Sequence, residues 1–191
     1  MRFTHTRKLL DAPSNNWCAP NSALWLQDPD AQLIIDLMRS ERDKLGFVPI
    51  PYLLKQIRSK DCVIWQRDDS GRRIGYIIHT PIKPGREIRI WLSVIDVDRR
   101  RRKFATRALA DLISKAYKSD APLIRLRCAA DLPANHFWLA SGFNHIATIK
   151  PPTRNPRDLN LYTITRDQFR QIRLPVLVKN PRQLFTDSPP E

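Results

Sequence analysis

The sequence predicts an α+β fold, a mixed and mostly antiparallel central sheet flanked by helices. Three observations lead there. The elements run helix, helix, three strands, helix, strand, helix, two strands, without the regular alternation that builds a doubly wound sheet. One helix, over 102–118, is strongly amphipathic and must bury one face. And 191 residues, 42% of them apolar, suffice for a single packed core.

Residues 1–29 read as an irregular N-terminal extension, with Trp17, Leu24 and Trp25 able to dock on a core. The domain proper is expected over 30–165. Leu33, Ile34, Leu37, Met38 and Leu45 recur at helical spacing, with Asp30 as N-cap and Gly46 as terminator. A short second helix is expected over 52–57. Strands follow at 62–66 and 74–79, joined by the turn-forming Asp68-Asp69-Ser70-Gly71. The third strand, 87–97, alternates Ile88, Ile90, Leu92 and Val94 on one face with Arg89, Trp91 and Ser93 on the other. In helix 102–118 the inward stripe is Phe104, Ala108, Leu109, Leu112, Ile113 and Ala116. A fourth strand spans 122–128, and a short helix spans 133–140 with Asp131 placed to cap it. Strands 143–149 and 159–164 flank a loop containing Pro151, Pro152, Arg154, Pro156 and Arg157. From 166 to 191 a basic, proline-bearing tail carries one apolar run, 174–178.

Composition narrows the function. Cys18, Cys62 and Cys128 are odd in number and form no CxxC pair, and the four histidines are scattered, so neither a disulfide framework nor a metal site is expected. No apolar run approaches the roughly 18 residues of a membrane span, and the N-terminus lacks a signal peptide's apolar stretch. A soluble, cytoplasmic protein is expected. The 33 Lys and Arg against 19 acidic residues give a net charge of +14, which favours encounter with polyanions: DNA, RNA or a phosphate-bearing coenzyme.

The chemistry concentrates where the third strand ends and helix 102–118 begins. Free N–H groups and the dipole at a helix start attract an anion, and Arg99, Arg100, Arg101, Arg102 and Lys103 add charge there. A pyrophosphate suits such a corner. A solvated or nucleic-acid-binding surface is the alternative.

The stretch from Ser93 to Leu109 resembles the coenzyme-A motif of the GNAT acyltransferase superfamily, Arg/Gln-x-x-Gly-x-Gly/Ala, with Arg100 and Ala105 at its ends and Lys103 where glycine is usual. Downstream, Cys128-Ala129-Ala130-Asp131-Leu132-Pro133-Ala134-Asn135-His136-Phe137-Trp138-Leu139-Ala140-Ser141-Gly142-Phe143 resembles the family's Asn-x-x-Ala-x-x-Phe-Tyr-x-x-x-Gly-Phe segment. The two motifs lie one strand apart, as in the family.

The resemblance implies a sheet splayed between the family's fourth and fifth strands, with acetyl-coenzyme A (acetyl-CoA) lying in the gap. Its pantetheine arm would run along Ile95 and Val97, and its pyrophosphate would sit on the main chain of Arg101, Arg102, Lys103, Phe104, Ala105 and Thr106, with Arg100 beside it. Asn135 and Trp138 would stand near the thiol. Trp138 replaces the tyrosine that in many members protonates the departing thiolate, and an indole N–H cannot act as that acid. The implied reaction moves an acetyl group to an amine, with Asp96, Glu87 and Asp131 as candidate bases, each of them also a natural helix cap or arginine partner, and Asn135 as an assisting group. His136 and His145 are also available.

The acceptor side is expected to carry Lys55, Arg58, Lys60, Lys150, Arg154 and Arg157, a lining that repels polyamines and attracts phosphates. Among Trp17, Trp25, Trp65, Trp91 and Trp138 a stacking surface for an unpaired base is available. A basic chain of this kind is similar in outline to the Mom-type phage members, which modify adenine in DNA. Three readings stay open: a conventional N-acetyltransferase, a nucleic-acid-modifying member, and a nucleic-acid-binding protein that kept the fold without the chemistry.

Overall fold

The computed structural model describes residues 29–45, 53, 55, 56, 62–150 and 157–169. Trp17, Leu24, Trp25, Gly46, Arg58, Lys60, Arg154 and the run 174–178 lie outside the described residues. Six strands form one sheet in the order β1-β2-β3-β4-β6-β5, where β1 is Val63–Arg67, β2 Arg73–His79, β3 Ile88–Ile95, β4 Leu123–Ala129, β5 Asn144–Ile149 and β6 Leu159–Thr165. All neighbours are antiparallel except β3 and β4. A parallel pair needs a long crossover. Helix α3, Phe104–Lys118, supplies it, and all six residues of its predicted stripe are buried.

Helix α1, Pro29–Ser40, starts one residue before the expected cap, because proline's fixed φ suits the first helical position; Asp30 is therefore inside the helix rather than its N-cap. A four-residue helix α2, Arg42–Leu45, follows after a break at Glu41. Ser40 Oγ donates to the Leu37 carbonyl at 2.9 Å, a back-bond of the kind that bends helices. Leu53, Lys55 and Gln56 are also helical. The second half of the chain adds α4, Ala134–Ala140, and α5, Arg166–Phe169. Phe169 is fully buried, so packed structure continues past 165, and Arg166 pairs with Asp120 at the far end of α3.

Two apolar clusters hold the sheet between its helices. The larger joins Ile77, Ile88 and Ile90 to Leu109, Leu112 and Ile113 of α3, to Ile124 and Leu126 of β4, and to Trp138 and Phe169. The smaller joins Tyr76, Ile78, Leu92 and Val94 to Ile34 of α1 and to Leu53. Tyr76 also donates its hydroxyl to the Ile34 carbonyl at 3.4 Å.

The alternation along β3 thus identifies the right buried residues but not one shared face. Ile88 and Ile90 pack under α3, whereas Leu92 and Val94 pack under α1. The register explains the switch. Ile78 pairs with Leu92 and His79 with Ile90, so the register with β2 passes over Trp91. One extra residue in a strand reverses the facing of everything after it.

Helices α1 and α2 cover the β2–β3 side of this second face. Among the described residues, no helix covers the same face of β4, β6 and β5.

Gly75 sits where β1, β2 and β3 are pressed closest. A Cβ there would overlap the Val94 carbonyl oxygen and lie 2.9 Å from Ile95 Cα, both backbone atoms. Gly75→Ala is expected to destabilise the fold by about 2 kcal/mol, the usual range for forced overpacking, read as a lowered urea midpoint.

Candidate functional site

β3 and β4 pair only over Ile88–Ile90 and Ile124–Leu126, although both strands continue beyond. The pairing ends at the residue before the Trp91 bulge, which bends β3 away from its neighbour. Because no described strand precedes Val63, the parting lies between the third and fourth described strands of this chain, the pair that the motif resemblance sets beside the family's fourth and fifth. A cleft of about 1270 Å³ opens there, with Leu92–Ile95 of β3 on one wall, Leu126–Ala129 of β4 on the other, and α4 closing one end. Backbone groups on two parted strands lack each other as partners, so the cleft presents polar main chain to an extended guest.

The other end is the start of α3. Asp96 caps a 3-10 turn, Val97–Arg99, by accepting from the Asp98 N–H at 3.2 Å. Arg100 is extended, and then Arg101 and Lys103 both take left-handed backbone angles, φ 61° and 62°. That conformation is why α3 starts at Phe104 rather than at Arg102, since a left-handed residue cannot be part of the helix. Lys103 therefore adopts the shape for which glycine is usually chosen, at a cost of about 1–2 kcal/mol. Among the described residues, no backbone carbonyl accepts from the N–H groups of Arg101 to Thr106. They form a concave set of donors of the kind that binds anions. Phe104 is buried beneath them, and the Arg102 and Arg107 guanidinium groups lie over its ring at 5.4 and 4.9 Å.

Arg100 reaches sideways. Its guanidinium meets Glu41 Oε1 at 2.6 Å and approaches the Ile95 carbonyl at 3.4 Å. Lys44 meets Glu41 Oε2 at 2.8 Å. Burial alone would raise the Glu41 pKa, but hydrogen bonds and charge from Lys44 and Arg100 outweigh it and hold the carboxyl below its ordinary value of 4.5. The break between α1 and α2 thereby ties those helices to the anion loop across the cleft.

Helix α4 is anchored by Asn135. Its amide donates to the carbonyls of Ala129, Ala130 and Leu132 at 2.9, 3.1 and 2.7 Å, and its oxygen accepts from Asn160 and Tyr162. The side chain is buried and turned into the β4–α4 loop. Asp131 is not the cap of α4; Pro133 holds that position, and Asp131 instead forms a two-pronged pair with Arg157, at 2.7 and 3.2 Å. The Arg157 hydrogen bond holds the Asp131 carboxyl below the usual range. Trp138 is buried and packs edge-on against Phe137 and Phe143. Burial pushes the Cys128 thiol up to about 11, so it stays protonated.

Of the residues expected at the site, Ile95, Arg100, Arg101, Lys103, Phe104, Ala105, Thr106 and Trp138 line the cleft. Arg102 stands outside it, and Val97 is exposed on the turn beyond β3. Asp96, Asp131 and Asn135 do not line it, and Glu87 pairs with Arg125 and Arg89. His136 does line it, while His145 contacts Thr148 on the surface. Of the expected acceptor-side cations, Arg157 is committed to Asp131, and Lys55 and Lys150 are exposed. Sequence reasoning missed Glu41 and Lys44, since the pattern Leu33 to Leu45 predicts an unbroken helix and singles out neither residue. It also passed over Ser93 and Cys128 as cleft residues.

Among the described residues no group of His, Cys, Asp or Glu could hold a metal, and no helix is long and apolar enough to cross a membrane.

The sequence profile of the Acetyltransferase (GNAT) family matches residues 23–143, more than half of the chain. Comparison with curated protein sequences gives no match. Solved structures share the fold. Ard1 from Thermoplasma volcanium superposes with a TM-score of 0.59 at 16% identity, over 71% of this chain and 92% of its own. A spermidine N-acetyltransferase SpeG mutant from Vibrio cholerae gives 0.60 at 16%, over 73% and 90%. The NatC complex bound to Gag peptide and CoA contains a chain giving 0.58 at 14%, over 72% and 91%.

Lys103→Gly is expected to raise stability by about 1 kcal/mol through relief of the left-handed lysine, seen as a higher thermal midpoint. Glu41 contributes stability above its unfolded pKa, and that contribution is lost as pH falls through the lowered folded value. Glu41→Gln should therefore be less stable than the parent at neutral pH, with the gap closing as pH falls below the ordinary value of 4.5 in urea titrations.

Proposed function

The chain belongs to the GNAT family of acetyltransferases, and on that basis we propose that it moves an acetyl group from acetyl-coenzyme A to an amine, with nucleic acid as the acceptor class. The observation that carries the coenzyme half is the left-handed loop at Arg101 and Lys103, whose free N–H groups open onto the end of the β3–β4 parting. Those residues fit the group: anion donors at one end, unpaired strand backbone along the middle, and an apolar wall of Phe137, Trp138 and Leu132 at the other end. The thioester supplies an acyl carbon already activated toward an amine.

The chain's own residues would then divide the work. Main-chain N–H groups from Arg101 to Thr106 hold the diphosphate, with Arg100 beside them. The backbone near Ile95 and Val97 pairs with the amides of the extended arm, and an N–H there offers a donor to the carbonyl oxygen. Glu41 is the single carboxylate among the described lining residues, and both its oxygens are held by cations, so it positions Arg100 rather than taking a proton. His136, with ring nitrogens able to accept a proton, opens into the cleft and is assigned the amine's proton. Asn135, Asp131 and Asp96 act by fixing backbone: the first two set the β4–α4 loop and the third sets the turn before the anion loop.

The nucleic-acid half rests on the net charge of +14. A second reading, coenzyme binding without transfer, is favoured by Trp138, whose buried indole packs against Phe137 and Phe143 and provides no acid for the departing thiolate.

Calorimetry with acetyl-coenzyme A should show binding that weakens about tenfold in Arg100→Ala/Arg102→Ala, as expected for loss of charge-assisted contacts. Absence of binding to the unsubstituted chain, or equal affinity in both, would overturn the assignment of the loop. An added acetyl mass on host DNA or RNA after expression would identify the acceptor class; transfer confined to protein would remove nucleic acid from the proposal.

A further inference from the structure

The face of the sheet that α1 and α2 leave open is chemically distinctive. Arg89 pairs with Arg125 across the parallel β3–β4 register, so both project to the same side, and Arg127 follows two residues along β4 on that side. The Trp91 bulge adds an aromatic ring to the group: the Arg89 guanidinium lies over the indole at 5.2 Å, and the indole is 42% exposed. Leu161 and Thr163 of β6, paired with Arg127 and Arg125, extend the surface as half-exposed neighbours. Glu87 is the one carboxylate that meets these arginines among the described residues, and it touches Arg89 and Arg125. Arg127 is exposed, and among the described residues no carboxylate pairs with it.

We infer that this open face binds an unpaired stretch of nucleic acid, with a base stacked on Trp91 and phosphates on Arg125 and Arg127. The inference rests on the acyltransferase reading and names the acceptor's form. Three arginines against one carboxylate call for a polyanion. An exposed indole beside the Arg89 guanidinium calls for a flat π-face next to that charge, which an acidic peptide lacks. A duplex keeps its bases stacked on one another, so only an unpaired strand offers that face to an open sheet. Trp91 and Arg127 also line the cleft. A base held on the indole therefore sits at the edge of the β3–β4 parting, where an exocyclic amine can reach the proposed acyl group.

The test measures fluorescence anisotropy of a labelled single strand of about a dozen nucleotides with the full chain across a salt series. Trp91→Ala is expected to weaken binding about tenfold and Trp91→Tyr to restore most of it. Arg127→Ala should lower the salt slope by about 0.7, the share of one phosphate contact on a single strand. The inference is overturned if Trp91→Ala binds like the parent, if a duplex of equal length binds as tightly as the single strand, or if a polyglutamate peptide displaces the strand equally well from parent and Trp91→Ala. Calorimetry of the unsubstituted chain with acetyl-coenzyme A separates the two readings. Coenzyme bound with no indole-dependent strand binding removes only this inference, and no coenzyme bound removes the acyltransferase reading on which it rests.

Discussion

The constraint on which the structure depends is the limited contact between two parallel strands. β3 and β4 share three residue pairs and then part. A parallel ladder normally continues as long as its strands do, because each unpaired N–H and C=O loses a hydrogen bond worth about 1 kcal/mol. Here the bulge at Trp91 ends it early, and the fold holds the two halves of the sheet together by other means. The larger apolar cluster runs unbroken from β2 through α3 to β6 and α5. The cleft therefore lies over a continuous floor, not between two loosely joined halves.

The bulge does a second thing. By reversing which side later residues face, it hands Leu92 and Val94 to the α1 side of the sheet. Helix α1 thereby gains something to pack on, and the break after it brings Glu41 to the cleft. The Glu41–Arg100 pair then links that helix to the loop that starts α3. One inserted residue in a strand thus shapes the gap, the helix that flanks it and the charge at its mouth.

Much of this was legible in the sequence. The order of elements and the buried stripe of α3 pointed to the fold because both depend on local periodicity, and two motif-like segments pointed to it by resemblance to a known family. The bulge was not legible: Ile88, Ile90, Leu92 and Val94 alternate without a flaw, and only the register with β2 shows that Trp91 is extra. Lys103 read as a departure from a glycine position, yet its backbone takes the glycine shape, since sequence reports side-chain type and not torsion angle. Asp131 does not cap α4 for a similar reason. Asp131 had the right type for a cap, but Arg157, distant in the chain, was the stronger partner, and the Asn135 amide holds the loop instead, its two protons shared among three carbonyls and its oxygen accepting from Asn160 and Tyr162. Glu41 was passed over because nothing in a helical pattern marks where the helix will bend.

Two adjacent-but-one residues with side chains, Arg101 and Lys103, hold angles that a flexible loop would rarely visit. A loop with glycine at such a position can wander among several shapes and lose that freedom only when a guest arrives. Here much of the wandering is already removed when the chain folds, so capture of an anion involves a smaller loss of backbone entropy. The loop behaves as a preset mould, with its stability cost placed in folding instead of in recognition.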